Sequence, residues 1–192
     1  MTYVEKREAI LQAALKLIAE RGLHNTPMSL VAKESGASAG TIYHHFTDKE
    51  DMIHALHHYV KTTFNHALVR GNSPELSREG AFQLMWLNAY HFYHTHQDES
   101  RFLDQYENSP YYHPQIPEGD MIEEEENLPE LFRLMVDDAG QPVTKDLPID
   151  ALYEMTIGVA AHIAKHRRSG LPPLDEQTLQ TIAHACYQAI MK

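Results

Sequence analysis

The sequence contains a single cysteine and no long apolar run, and these two absences exclude disulfide-stabilised and membrane-spanning folds. One cysteine, Cys186, excludes an internal disulfide framework and is typical of a reducing compartment. No apolar segment reaches the length of about 18 residues that a transmembrane helix needs. The N-terminal segment MTYVEKREAI lacks the apolar core of a secretory signal peptide. These observations predict a cytoplasmic protein.

The motifs of common hydrolytic and metal-dependent enzymes are also missing. The chain has no HExxH motif, no paired-carboxylate pattern and no nucleophile elbow. The run of glutamates at 123–126 is typical of a solvated helix face and not of a catalytic cluster. The sequence therefore predicts no enzymatic activity and no cofactor.

Alternating strand patterns are absent as well, whereas helical periodicity runs through most of the 192 residues. With 43% hydrophobic residues, the chain has enough apolar surface for one or two domains. In the first predicted helix the apolar residues recur with spacings of three and four, which gives one buried face. An all-α fold is expected. The residues of that first apolar face are Ile10, Ala13, Ala14, Leu17 and Ile18.

Two short helices joined by a glycine turn are predicted between residues 26 and 46. Thr26 suits the N-cap of the first helix and Pro27 its first position, where a missing N–H costs nothing. Gly36 ends that helix because glycine adopts the left-handed conformation without strain. Ser38 then caps the second helix, in which two apolar residues lie one turn apart and face inward. The inward pair is Ile42 and Phe46, and the outward side chains are Thr41, Tyr43 and His44.

This segment resembles the DNA-binding motif of TetR-family transcriptional repressors. The similarity is carried by the run GASAGTIYHHF at residues 36–46 and by Asp48-Lys49-Glu50 after it. The resemblance implies an all-α protein with an N-terminal three-helix helix-turn-helix lobe and a C-terminal helical ligand-binding and dimerisation domain. It also implies a sequence-specific regulator, usually a repressor that a small hydrophobic or aromatic inducer releases from a palindromic operator.

The family's DNA contacts, transferred by position, fall on six residues. Hydroxyl groups and a lysine at a helix start can bond phosphates, and His44 has the length and polarity to read a base. Because position 39 is Ala39, the helix offers no arginine for a bidentate guanine contact. Lys6 and Arg7 are candidates to compensate by reaching the DNA backbone or the minor groove. The six residues are Ser29, Ser38, Thr41, Tyr43, His44 and Lys49.

The net charge of −11 is unusual for a DNA-binding protein, but the charges are unevenly distributed. Residues 1–50 contain six basic and six acidic side chains, whereas the rest of the chain contains ten basic and twenty-one acidic ones. An acidic C-terminal part repels DNA and would turn the N-terminal lobe toward the duplex. A neutral lobe predicts weak non-specific binding and dependence on positioned contacts.

Breaks in the helical pattern divide the chain into three parts. Asp48 caps a long helix, with Asp51 placed for a capping box, and the GNSP segment at 71–74 breaks that helix. We therefore expect a DNA-binding domain over 1–48, a connecting helix over 49–72 and a ligand-binding and dimerisation domain over 73–192. Further helices are expected at about 76–95, from about 98 to Pro110, at 118–138, at 149–168 and at 175–191.

The helix predicted at 76–95 is apolar on nearly all faces, which is typical of a buried central helix. The resemblance implies a ligand cavity in this C-terminal part, and aromatic and methionine-rich surfaces favour flat or apolar ligands. Core packing is the alternative role for each of these side chains. The candidate lining residues are Trp86, Tyr90, Tyr93, Phe102, Tyr106 and Met155.

Small residues are frequent in the last two predicted helices and permit close packing of helices. In the family these helices pair with their symmetry mates as a dimer interface; the alternative is that they cover their own core. A two-fold dimer would place two recognition helices on a palindromic operator. The expected partners are double-stranded DNA, a small-molecule inducer and a second copy of the chain, with no membrane.

Fourteen histidines raise a different hypothesis, a histidine-ligated metal-binding protein or a metal-sensing regulator. His54, His57 and His58 share one predicted helix, at spacings that place some of them on one face. All three cannot share a single face equally, however, and a buried imidazole such as that of His91 can be satisfied by a hydrogen bond. No residue is assigned as a metal ligand. Titration of imidazoles near neutral pH is the more modest expectation.

Overall fold

The structure is a computed structural model, and it describes residues 3–112, 134–166, 171–172 and 174–192. Within these ranges the chain forms helices and no strands, apart from two isolated bridges between single residues. The helix predicted at 118–138 and the glutamate run lie almost wholly outside the described residues. The all-α expectation is confirmed for the part of the chain that is described.

Eight helices are numbered here in chain order within the described ranges. The seventh is one continuous helix of three segments, Ile149–Tyr153, the π-helical Glu154–Gly158, and Val159–His166. None of the helices in the described part of the chain has the length and apolarity needed to cross a membrane. The three-segment helix is α7, and the other seven helices are α1 (Tyr3–Arg21), α2 (Met28–Ser35), α3 (Ala39–His45), α4 (Lys49–Leu68), α5 (Arg78–Thr95), α6 (Gln97–Glu107) and α8 (Glu176–Ile190).

The described residues fall into two compact units. One comprises the described residues of Met1–Thr62 and His96–Ile116, and the other those of Thr63–Thr95 and Pro117–Lys192. The first unit includes α6, which the sequence division at residue 73 places in the C-terminal domain. Two hydrogen bonds of Gln105 on α6 contribute to this grouping, because its amide donates to the Ile18 carbonyl and accepts from the Leu23 N–H.

In the first unit, α1 buries the predicted apolar face and ends at Gly22, whose φ is 89°. The predicted N-cap role of Thr26 is wrong, because α2 has Pro27 at its N-cap position and no side-chain cap. The Thr26 hydroxyl instead donates to the Gly22 carbonyl at 2.9 Å and is fully buried. Thr26 thus closes the connection between α1 and α2. Asp48 caps α4 as predicted, since its carboxylate accepts from the Asp51 N–H at 2.9 Å. The Asp51 carboxylate accepts from the N–H of Thr47, one residue before the cap, at 2.8 Å.

In the second unit, Trp86 of α5 is fully buried and its indole N–H donates to the Thr156 carbonyl at 3.0 Å. That carbonyl belongs to the π-helical segment of α7, whose shifted register leaves backbone groups in need of partners. The helix α8 begins where the sequence predicts, with the Asp175 carboxylate accepting from the Thr178 N–H at 2.7 Å. This hydrogen bond lowers the pKa of Asp175.

Candidate nucleic-acid interface

The turn between α2 and α3 has the geometry that its sequence predicts. Gly36 has φ 69° and ψ 13°, the left-handed conformation, and the Ala37 N–H donates to the Ala32 carbonyl at 2.9 Å. Ser38 follows in an extended conformation, and its hydroxyl accepts from the Thr41 N–H at 3.1 Å. The turn and the cap together fix where α3 starts and which side it turns outward.

The two faces of α3 separate as expected. Ile42 and Phe46 are each 1% exposed and pack into the core of the first unit. Tyr43 is 58% exposed, and His44 is also exposed. Ser29 on α2 is exposed as well, so an outward polar surface extends over both helices.

Ser38 and Thr41 are coupled through their side chains as well as through the cap. Their hydroxyl oxygens lie 2.8 Å apart, close enough for a hydrogen bond in either direction. Ser38 is exposed and Thr41 half-buried. Both hydroxyls are therefore held in place, and the one that accepts in this pair keeps its own O–H free to donate to a phosphate oxygen.

Lys49 departs from the prediction in the direction of its side chain. Its ammonium group donates to the Leu23 carbonyl in the connection between α1 and α2. Burial lowers the pKa of Lys49. The side chain thus ties the start of α4 to the turn after α1, and the predicted phosphate contact would use the Lys49 backbone N–H or a rearranged side chain.

An aromatic group that the sequence does not indicate lies beside the end of α3. The Tyr3 ring meets His44 edge-on at 5.7 Å and lies 4.3 Å from the His45 ring. The Arg7 guanidinium lies 5.2 Å from the centre of the Phe46 ring. The first turns of α1 therefore support the outward ring of His44.

His45 is the least satisfied polar group of this surface. Its Nδ1 atom is buried without a hydrogen-bond partner. Burial lowers the pKa of His45, and the neighbouring His44 and Arg7 lower it further. A neutral ring packed against Tyr3 fits this environment better than a charged one.

The six candidate ligand residues are divided between the two units. Trp86 and Tyr90 stack with ring centres 6.3 Å apart, and with Tyr93 they are buried in the second unit. Phe102 and Tyr106 are buried in the first unit. Met155 is 37% exposed on α7.

The second unit contains an apolar cavity of about 80 Å³ at a different place. It lies between α5, the first two segments of α7 and the end of α8, and it is lined by none of the six candidates. Sequence reasoning missed it because its mostly apolar lining comes from distant segments, whose residues look like ordinary core. The lining includes Phe82, Met85, Leu134, Leu152, Thr156 and Ile190.

The histidines do not form a metal site in the described ranges. No group of three or more histidine, cysteine, aspartate or glutamate side chains is arranged there to hold an ion. His57 stacks on Tyr106 with ring centres 4.1 Å apart, and His54 meets the same Tyr106 ring edge-on at 6.4 Å. The metal-binding alternative therefore has no support from the described residues.

Comparison with known proteins identifies both parts of the chain. A family model described as bacterial regulatory proteins, tetR family, matches residues 10–56, and one described as tetracyclin repressor-like, C-terminal domain, matches residues 79–191. An HTH-type transcriptional regulator of Haemophilus influenzae is 25% identical over 186 residues, which cover 96% of this chain and 95% of that protein.

Solved structures agree with this match. A TetR-family transcriptional regulator from Vibrio parahaemolyticus is 26% identical, with a TM-score of 0.78 over 97% of this chain and 99% of that one. A TetR-family regulator from Haemophilus influenzae is 25% identical, with a TM-score of 0.78 over 98% of both chains. With family models matching the helix-turn-helix and most of the C-terminal part, the chain belongs to the TetR family of DNA-binding transcriptional regulators.

Proposed function

We propose that this protein is a homodimeric repressor that binds a palindromic operator and is released by a small apolar inducer. The observation that carries the proposal is the outward face of α3. There, Tyr43 and His44 are exposed on a helix whose start is fixed by Gly36 and the Ser38 cap. A short rigid helix with exposed polar side chains is what major-groove recognition needs.

The chemistry of this face favours moderate affinity with positioned contacts. His44 can donate to or accept from a base edge, and Tyr43 can bond a phosphate or touch a thymine methyl. Ser29, Ser38 and Thr41 supply hydroxyls for phosphate oxygens. Because the first fifty residues carry no net charge, these contacts have to supply what bulk attraction does not.

A partly uncovered apolar flank in the second unit supports the dimer. Met155, Val159 and Ile163 follow one another at spacings of four along α7 and are half-buried or exposed. On α8, Ile182 and Ala189 are half-buried and Ala185 is exposed. A second copy covering these residues would remove apolar surface from water, which is the main driving force for association.

The inducer is proposed to occupy the apolar cavity of the second unit. At about 80 Å³ the cavity suits a small apolar molecule or the end of a longer apolar chain. Its wall includes the π-helical segment of α7, and such segments occur frequently at functional sites. The inducer must prefer the form that does not bind DNA, since equal affinity for both forms shifts nothing.

Fluorescence anisotropy on the DNA upstream of the protein's own gene tests the DNA-binding part. We expect the wild type to bind this DNA more tightly than unrelated DNA of equal length. The Tyr43→Ala, His44→Ala double variant should lose at least about tenfold in affinity, the range of a lost base contact. His58→Ala, which removes an exposed histidine of α4 in the same unit, serves as the control. Equal binding by the double variant and wild type would refute the assignment of α3.

Thermal shift with small aromatic compounds and straight-chain carboxylates tests the cavity. A compound that occupies it should raise the unfolding temperature of the wild type and weaken DNA binding. A Leu152→Trp substitution should fill the cavity and abolish both effects. A compound that releases DNA equally well from this variant binds elsewhere.

A further inference from the structure

The side-chain amide of Gln105 on α6 is bonded on both sides to the end of α1. Its Nε2 donates to the Ile18 carbonyl at 3.0 Å, and its Oε1 accepts from the Leu23 N–H at 3.0 Å. A Cβ at Gly22 would lie 3.5 Å from Oε1, so the amide sits directly against the turn that ends α1. Using donor and acceptor at once, the amide fixes α6 against this turn in both direction and register.

The backbone of Leu23 extends this connection to α4. Its N–H is taken by Gln105, and its carbonyl accepts from the ammonium of Lys49 at the first position of α4. Leu23 is itself 5% exposed, so its peptide is held within the core of the first unit. The two backbone groups of Leu23 thus link the turn after α1 to α6 and to the start of α4. The helices α2 and α3 lie between that turn and Lys49 in the chain.

The chain connects α6 directly to α5. The helix α5 ends at Thr95 and α6 begins at Gln97, so one residue separates them. Phe82 and Met85 of α5 line the apolar cavity. The chain passes from the second unit to the first at this point.

We propose that Gln105 is a positioning residue for DNA binding. Its amide holds the turn before α2 and the start of α4 in the arrangement that presents α3, and it makes that arrangement depend on the position of α6. This inference rests on the proposed function, because it assigns to Gln105 the link between α6 and DNA recognition.

A Gln105→Met variant tests the proposal, since methionine has a similar size and makes neither hydrogen bond. The DNA is a duplex selected from a random pool by the wild-type protein. We expect at least about a tenfold loss of affinity for the selected duplex, with binding to unrelated DNA nearly unchanged. Hydrogen exchange should accelerate at the Leu23 amide and along α2 and α3. Gln83→Met is the matched control, because the Gln83 amide bonds Glu79 within α5 alone.

A Gln105→Glu variant separates positioning from packing by its pH profile. A carboxylate keeps the acceptor for the Leu23 N–H but faces the Ile18 carbonyl without a donor, whereas the protonated acid restores both bonds. Its affinity deficit relative to wild type should therefore shrink as the pH falls from 8 to 5.5. A deficit that is constant with pH, or a Gln105→Met variant that binds the selected duplex as wild type does, would overturn the inference. If the wild type selects no duplex at all, the proposed function fails first.

Discussion

At the scale of single residues, environment divides histidines that look alike in the sequence. His57 and His58 are neighbours on α4, yet His58 is exposed while His57 stacks on the Tyr106 ring at 4.1 Å and 14°. Burial lowers the pKa of His57 to about 4, and the nearby Lys61 lowers it further. His57 therefore stays neutral where an exposed histidine titrates.

The depressed pKa of His57 predicts loss of stability in mild acid. Unfolded chains bind a proton on this ring below about pH 6.5, whereas the folded protein resists protonation until about pH 4. The stabilisation is complete above pH 6.5 and is lost as the pH falls through this window. A His57→Phe variant keeps the stack and removes the titration. Its unfolding temperature should fall less than that of the wild type between pH 7 and pH 5.

The exposed neighbour supplies the control for this prediction. His58→Gln removes a ring of the same type one position away and should leave the wild-type pH dependence unchanged. Thermal unfolding followed by circular dichroism measures all three proteins. A steeper or equal decline for His57→Phe would show that other groups dominate the acid sensitivity.

Residues whose role depends on spacing were predictable, and residues whose role depends on distant partners were not. Ile42 and Phe46 turn inward because positions four apart share a helix face. Lys49 was expected at a phosphate, but its long side chain bonds the Leu23 carbonyl, 26 residues earlier. The bond of Gln105 to Leu23 spans 82 residues. No local pattern indicates such pairs, because the fold brings them together.

At the scale of elements, the turn between α2 and α3 needs a glycine, whereas α3 itself does not. Gly36 has φ 69°, and a Cβ added there would meet no atom within 4 Å. Gly40 lies inside α3 without a positive φ, and its added Cβ would meet Ser38 Oγ at an ordinary 3.8 Å. An added methyl group at Gly36 therefore causes backbone strain without a steric clash, whereas one at Gly40 causes neither.

Alanine at these two positions should shift stability in opposite directions. Gly36→Ala forces a left-handed conformation on alanine and should lower the free energy of unfolding by about 1 kcal/mol. Gly40→Ala improves helix propensity and should raise it by up to about 1 kcal/mol. Urea unfolding measures both values. Shifts of the same sign would mean that the turn geometry does not control the stability of this motif.

The π-helical segment of α7 shows the limit of prediction for elements. Sequence periodicity predicted one helix at 149–168, and a continuous helix is present over the described 149–166. The sequence does not indicate the wider turn at Glu154–Gly158, where the Thr156 carbonyl accepts from the Trp86 indole. Trp86 lies 70 residues earlier. The cavity beside this segment was missed for the same reason.

At the scale of the whole molecule, the negative charge is concentrated in the part of the chain after residue 50. All of the net charge of −11 lies beyond residue 50, which leaves the first fifty residues neutral. A lobe without net charge attracts DNA weakly, so operator affinity in the proposed dimer comes from joining two lobes. The proposed dimer surface on α7 and α8 is therefore as necessary for DNA binding as α3 is.

An arginine at position 185 should separate the dimer without unfolding the chain. Ala185 is exposed on α8, so a larger side chain fits the protomer, but at a two-fold interface it would place two buried cations near each other. Gln180→Arg adds the same charge at an exposed position on another side of α8 and is the control. Sedimentation should give the mass of two chains for the wild type and the control, and of one chain for Ala185→Arg. Operator binding should then fall by at least about a hundredfold, since the second lobe no longer binds at high effective concentration. A dimeric Ala185→Arg protein with full affinity would place the interface on another surface.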